Sequence, residues 1–345
     1  MLLFSFIALL LTTLSDPAFA QKKKYEFAKE RKMSQSYNAA SGDKLVISNT
    51  FGNVVIKTWS QREVKVDIQI AISSTKKENA ENLFDRIHID HGKKGNEISF
   101  VTDMHNEKSP KDGTGNVSNT IDIDYTVSMP ADLELELRNK FGDIILPDLK
   151  GKVKVVSQFG KLQAGKLDNV ASIDVRHGNA NIESAANGSY SFQFASEARI
   201  RNLDGDADIR IQHCKSNGVV IHLGSNAGDL KVNGQHSDLA LVVNKNLSAN
   251  FDVKTHFGSF QDNAGFGIKS KEDEESSQNS SRRYGQQATR FNKKYTGTAG
   301  GGKSKINISG NFTDISVGFE APKAKPKKTG TSGKQSSSGR KIIKL

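Results

Sequence analysis

Apolar and polar residues alternate with a period of two over most of this chain. In NTIDIDYTVSM, Ile121, Ile123, Tyr125, Val127 and Met129 fall on one side, and Asp122, Asp124, Thr126 and Ser128 on the other. In LELEL, Leu133, Leu135 and Leu137 oppose Glu134 and Glu136. A period of two with one wet face predicts strands packed on a single side. One stretch follows another rule. In STKKENAENLFDRIHI the apolar residues Ala80, Leu83, Phe84 and Ile87 fall at i, i+3, i+4 and i+7, and Thr75 with Glu78 has the spacing of a capping box. That pattern predicts a helix that covers part of the sheet or closes one end of it.

The strands are punctuated by a ring followed by a glycine: Phe51-Gly52, Phe141-Gly142, Phe159-Gly160, His177-Gly178 and Phe257-Gly258, with Asp204-Gly205 as a degenerate copy. From Gly142 to Gly160 to Gly178 the interval is eighteen residues twice, and later intervals lengthen. A fixed period with strands on both sides of a glycine turn predicts an all-β, single-domain β-solenoid. Its coils of roughly 18 or more residues would stack through their apolar faces. Expected inward residues are Val153, Val155, Leu162, Ile173, Val175, Ile182, Phe192, Phe194, Ile209, Ile211, Leu230, Val232, Leu239, Leu241 and Val253. Each corner glycine is expected at positive φ, and each ring is expected to stack on the ring one coil away. The hexapeptide β-helix of acyltransferases, which also has eighteen-residue coils, fits poorly. Stepping by six from Phe159 gives Gly165, Ala171, His177 and Glu183 rather than an aliphatic column.

Residues 1–20, MLLFSFIALLLTTLSDPAFA, read as a secretory signal peptide closing on an A-x-A site. The apolar run is shorter than the ~20 residues of a membrane span. After cleavage no transmembrane span is expected, and the protein is expected in the periplasm, on the outer membrane surface or secreted. Residues 21–40 form a polar lead and 41–320 the solenoid. Residues 269–305 interrupt its final coils as a polar loop, within which Arg282, Arg283, Tyr284, Arg290, Phe291, Lys293, Lys294 and Tyr295 interleave cations with rings. That pattern suits glycan or phosphate contact and makes these the candidate binding residues, although a solvated loop is the leading expectation for the segment.

The net charge of +11 lies largely in the tail. Residues 321–345 hold eight Lys and Arg and no acid, so the body from 21 to 320 carries about +4. A nearly balanced surface with a basic, disordered tail argues against nucleic acid as partner; on an exported protein such a tail suits anionic phospholipid, lipopolysaccharide or glycan better than DNA, and a solvated end without function is the leading expectation for it.

Chemical motifs are sparse. Cys214 is the single cysteine, so no intramolecular disulfide forms, and it reads as a small apolar residue in a strand. Asp204, Asp206 and Asp208 alternate as in a calcium loop but lack the spaced bidentate Glu, and they read as the wet face of a strand. His88 and His91 lack a third ligand and read as a surface pair. The column just after the corner, Asp143, Lys161, Asn179, Asp206 and Ser259, is chemically mixed, unlike the clustered acids of a polysaccharide lyase. No catalytic residue, metal site or cofactor follows from these patterns.

The order ISNTFGNVVIKTWSQREVKVDI, the capped helix, SMPADLELELRNKFGDIIL, VKVVSQFGKLQAGKL, THFGSF and INISGNFTDISVGF resembles the bacterial putative-adhesin family of unknown function, relatives of the toast-rack envelope domains. The resemblance covers roughly residues 40–320, with Trp59, Pro130 and the FG corners in place. It implies an exported, non-enzymatic β-solenoid of the cell envelope, and no set of functional residues comes with it. A binding or scaffold module is the leading expectation, with a glycan, the envelope surface or an envelope protein as partner and a monomer or weak oligomer as its state. An accessory or sensor domain of an envelope-stress system and a carbohydrate-active β-helix enzyme are the alternatives.

Overall fold

The computed structural model describes residues 25–104, 118–215, 218–270 and 292–322. The expected signal peptide and the basic tail from residue 323 lie outside the described residues. The N-terminal end is built from β1 (Phe27–Asn38), β2 (Lys44–Phe51), β3 (Val54–Trp59), β4 (Glu63–Ser74), α1 (Lys77–Asp85), β5 (Ile87–Lys94), β6 (Glu97–Met104) and β7 (Asn119–Pro130). The chain then winds through β8 (Glu134–Phe141), β9 (Ile144–Leu146), β10 (Leu149–Gln158), β11 (Lys161–Arg176), β12 (Asn179–Ala186), β13 (Ser189–Gln193), β14 (Glu197–Gln212), β15 (Val219–Gln235) and β16 (Asp238–Val242). It closes with β17 (Ala249–His256), β18 (Phe260–Asp262), β19 (Lys269–Ser270), β20 (Asn292–Ala299), β21 (Ser304–Asn311) and β22 (Asp314–Gly318).

The fold is all-β, and its pairings trace two faces. One runs β6, β2, β8, β10, the second half of β11, β13, the second halves of β14 and β15, β21 and β17, all parallel neighbours. The other runs β7, β3, β9, the first half of β11, β12, the first halves of β14 and β15, β16, β22 and β18, again parallel. Each coil gives one strand to each face. The strands β11, β14 and β15 are long because they carry the chain around the far edge from one face to the other.

The core lies between the faces, and register fixes its columns. Ile47, Leu137, Val155, Ile173, Tyr190, Ile209, Val232, Ile308 and Val253 occupy one column of the first face, all buried. Each such side chain contributes roughly 1.5–3 kcal/mol when taken from water. Tyr190 keeps its place among them because its hydroxyl donates to the Asn187 carbonyl at 2.6 Å.

Coils do not stack in chain order to the end. Beyond β15 and β16 come β21 and β22, and then β17 and β18. The chain reaches the end of the stack with β17, crosses it as antiparallel β20, which carries β19 on its other edge, and returns to insert β21 and β22 one coil in. INISGNFTDISVGF, although last in the chain, is an interior coil. One expectation changes here. The polar segment 269–305 is not loop throughout, since it contains β19, β20 and the start of β21. An end strand packs on one side and keeps its polar side chains, so β20 lacks the apolar density that marks an interior strand.

At the opposite end α1 lies against β1, β4 and β5. The expected capping box does not form. The N-cap is Lys76, without a side-chain cap; Thr75 Oγ1 accepts the Ser118 N–H at 3.3 Å, and Ser74 Oγ accepts that of Lys76 at 3.1 Å. Arg31 joins β1 to β5 by donating to the Ile87 carbonyl at 2.7 Å, and its guanidinium lies over the Phe84 ring. Among the described residues, no helix is long and apolar enough to cross a membrane.

Candidate functional site: an aromatic ladder at the corner

Where the two faces meet, Phe51, Phe141, Phe159, His177, Phe194, His213, His236, Phe312 and Phe257 stack in that order. Neighbouring centroids are 4.7–5.4 Å apart and ring planes lie within 19° of each other. The order is that of the coils in space, so Phe312 precedes Phe257. From Phe159 to Phe312, each ring's N–H bonds to the carbonyl that precedes the next ring: Phe159 to Arg176 at 3.0 Å, His177 to Gln193, Phe194 to Gln212, His213 to Gln235 and His236 to Asn311, each at 2.9 Å, and Phe312 to His256 at 2.7 Å.

The conformational role of the corner glycine differs from expectation. From the third coil on, the left-handed residue is the ring itself, with φ near +50° at Phe159, His177, Phe194, His213, His236, Phe257 and Phe312. Positive φ falls on the glycine only in the first two coils, at Gly52 and Gly142. At Gly160, Gly178 and Gly258 the requirement is close approach. A Cβ at Gly160 would stand 1.9 Å from the Gly142 carbonyl oxygen, one at Gly178 2.0 Å from that of Gly160, and one at Gly258 2.1 Å from that of Thr313. A left-handed conformation costs a non-glycine residue roughly 1–2 kcal/mol. Ring stacking and the N–H bonds to the neighbouring coil offset that cost.

Four rings escape the sequence pattern because no glycine follows them. Phe194, His213, His236 and Phe312 are followed by Ala195, Cys214, Ser237 and Thr313, all buried. In the coils of His236 and Phe312 the glycine instead stands two residues before the ring, at Gly234 and Gly310. A Cβ at Gly234 would lie 2.8 Å from Thr313 Cγ2, and one at Gly310 3.2 Å from Thr313 Cβ. The two positions share one inward volume, which either can fill. A small buried residue directly after the ring, glycine or not, is the signal that would have found them. Phe194 is accordingly a corner ring, 50% exposed, and not an inward residue. Asp204-Gly205 is no copy of the corner; it lies at the far edge within β14.

The ladder forms a ridge. Its rings cover one another's faces and present their edges to solvent, Phe159 being 49% and Phe312 42% exposed. Beside it runs an in-register column of the preceding residues: Gln158, Arg176, Gln193, Gln212, Gln235, Asn311 and His256. Amide donors and acceptors thus repeat at the spacing of the strands along an apolar ridge.

On the other side of the ridge, polar residues tie coil to coil. Asp143 Oδ1 accepts the Lys161 N–H at 2.8 Å, Asn179 Oδ1 that of Glu197 at 3.2 Å, and Asp314 Oδ1 that of Ser259 at 3.1 Å. At the far edge Asp204 Oδ1 accepts from the Asn226 N–H and Asp206 Oδ1 from that of Asp229, while Asp208 pairs with Lys231. Among the described residues, no group of three or more His, Cys, Asp or Glu is placed to hold a metal ion. His91 bonds Tyr37 through Nδ1 at 2.7 Å and stacks on Phe100, and His88 Nδ1 lies 3.4 Å from the Arg86 carbonyl. Cys214 is buried in the corner with Sγ directed at the Phe192 and Gln212 carbonyls, and burial pushes its thiol pKa up. Of the candidate binding residues, Lys293, Lys294 and Tyr295 stand on β20; Arg282, Arg283, Tyr284, Arg290 and Phe291 lie outside the described residues.

The fold and the ridge together define an all-β protein of stacked parallel coils with an aromatic corner. No family model matches the chain, and no curated protein does. Among solved structures it is similar to a "putative cell adhesion protein" from Clostridium sporogenes, with 10% identity over 84% of this chain and 99% of that one and a TM-score of 0.22. It is similar to a "putative adhesin" from Bacteroides fragilis, with 11% identity over 83% and 97% and a TM-score of 0.34. A third, also a "putative adhesin", from Parabacteroides distasonis, shares 11% identity over 62% of this chain and 90% of its own at a TM-score of 0.31. Likenesses this remote are resemblances, and the architecture rests on the strand pairings above.

Proposed function

We propose that the protein is an exported module of the cell envelope that binds a glycan or another envelope component along its outer face and performs no catalysis. The observation that carries this reading is the ridge: nine stacked rings exposing their edges beside a column of amides in register. Because the ring faces are mutually covered, a ligand meets apolar edges and amide groups rather than a stacking platform. The outward side chains vary without disturbing the inward columns, which suits a recognition surface. The acids just past the corner are engaged in hydrogen bonds between coils, which also favours binding over hydrolysis.

The test is a glycan-array and envelope-extract screen with the mature protein, a Gln193→Ala/Gln212→Ala/Gln235→Ala variant, and deletions of 271–291 and 323–345. Deleting 271–291 spares every described strand, whereas removing 269–305 would take β19, β20 and the start of β21. Specific binding that disappears in the triple variant, whose fold is checked by circular dichroism, is the expected result. Specific binding that the triple variant keeps would remove the ridge from the reading.

A further inference from the structure

The strand register lays the amide column out on one outer face. Gln193, Gln212, Gln235 and Asn311 stand side by side on β13, β14, β15 and β21. Each follows an inward position, since Phe192 and Ile211 are buried and a Cβ at Gly234 or Gly310 would meet Thr313, so all four amides point outward. The next outward position of the same strands holds Ser191, Arg210, Asn233 and Ser309, again in register. Arg210 is the single charge among these side chains, and it makes no ion pair among the described residues. Ionic groups frame the strip: Arg176 with Asp174 on β11, Asp208 with Lys231 one outward position farther from the ridge, and Lys254 on β17.

The hydrogen-bonding groups of this strip are largely uncommitted. Gln193 Nε2 donates to Ser191 Oγ at 3.1 Å, but the side chains of Gln212, Gln235, Asn233 and Asn311 make no hydrogen bond among the described residues. Each amide offers donors and an acceptor together, and the set repeats at the ~4.8 Å spacing of the strands. A matching ligand carries no charge, combines donors with acceptors and repeats at that interval. A peptide laid across the strands advances by only ~3.3 Å per residue and falls out of step. A polyanion meets one cation, Arg210, where it needs a row of them. Sugar hydroxyls both donate and accept, and an extended β-1,4-linked glycan advances by close to one strand spacing per sugar.

We infer that the ligand of the ridge is a neutral, extended β-1,4-linked glycan that crosses β13, β14, β15 and β21 along the stack, one sugar per coil. The inference rests on the function proposed above and names the ligand class. Hydroxyl groups of the glycan hydrogen-bond to Gln193, Gln212, Gln235 and Asn311, with Arg210 and Asn233 within the same strip as further partners. Its C–H groups rest against the edges of Phe194, His213, His236 and Phe312, the rings that follow these amides in the chain.

The experiment titrates the mature protein, at low and at high salt, with cello- and chito-oligosaccharides from disaccharide to hexasaccharide, with maltohexaose and with a sulfated hexasaccharide. In at least one of the two β-1,4-linked series, affinity is expected to rise with each added sugar to about four, one for each amide-bearing strand, and then to level off. Salt should leave that affinity unchanged, because no charge pair forms. Maltohexaose, whose α-linked chain coils, and the sulfated hexasaccharide should bind at least about tenfold more weakly. Gln212→Ala/Gln235→Ala is expected to weaken the hexasaccharide about tenfold. The control Gln163→Ala/Asn181→Ala removes two neighbouring outward amides from the other face and should stay near wild type; circular dichroism verifies each fold. Preference for maltohexaose or the sulfated sugar, affinity that ignores chain length, or equal weakening in variant and control would overturn the inference. If none of these sugars binds while envelope extract is still captured through the ridge, the ligand class fails and the proposed function stands; if the extract is not captured either, both fail.

Discussion

At the scale of the residue, the corner turns on a few tenths of a nanometre. Gly160 is not left-handed, yet a methyl group there would sit 1.9 Å from a carbonyl oxygen of the neighbouring backbone. Relief requires that two coils part. Gly160→Ala is therefore expected to cost about 4 kcal/mol or more, or to abolish folding, as measured by urea unfolding. A glycine present only for its φ would lose about 1–2 kcal/mol. At the equivalent place in another coil, Ser237→Ala removes an acceptor for the Cys214 N–H and a donor to the Gln235 carbonyl. That change is expected to cost about 1 kcal/mol. The recurring FG pair made the corner legible in the sequence because ring and glycine are adjacent. The rings at Phe194, His213, His236 and Phe312 were not legible, since another small residue, or a glycine two positions upstream, serves the same volume. The cross-strand neighbours of Lys254 and His256, namely Lys294, Ser309, Asn292 and Asn311, give no signal in the sequence, because only the pairing of β17 with β20 and β21 brings them together.

At the scale of the element, charges across neighbouring strands make stability depend on pH. Burial first, then the charges of Arg199 and Arg201 nearby on β14, hold the pKa of His222 on β15 below the usual histidine value. Unfolded, this ring takes up a proton near its ordinary pKa of ~6.5, whereas the folded ring resists it. Stability therefore falls as pH drops through that value. The carboxyl of Asp43 is lowered by the hydrogen bond from Lys93 at 2.6 Å and by the Ala40 N–H, and that of Glu136 on β8 chiefly by the hydrogen bond from Arg138. Their contribution is complete above the unfolded carboxyl pKa of ~4 and is lost below it as the folded groups protonate. Urea midpoints across pH should show two declines on acidification. His222→Gln should reduce the upper one and leave the lower. The strands themselves were the most legible elements, with NTIDIDYTVSM and LELEL burying the faces their alternation indicates. The helix was legible by its apolar spacing but not by its cap, because Ser118, which engages Thr75, lies far away in sequence.

At the scale of the molecule, the inserted coil is a keystone. β15 and β17 do not pair with each other; both pair with β21. β16 and β18 are likewise joined through β22. A chain ending at residue 303 thus loses the link between β17, β18 and β20 and the rest of the stack, whereas one ending at 322 keeps every described strand. The shorter chain is expected to lose amide-exchange protection throughout 249–299 and to melt in two steps. The longer one should unfold like the full protein. This crossing of chain order and stack order was invisible in the sequence, because a strand's apolar pattern records which face it buries and not which neighbour it meets.

The ladder also sets a length. Each ring marks one strand, and parallel strands stand ~4.8 Å apart, so nine of them measure out about 40 Å. Duplicating a coil adds one graduation to this ruler and leaves the others where they were. The length of the stack can therefore evolve in fixed increments, with no change to the elements that close its two ends.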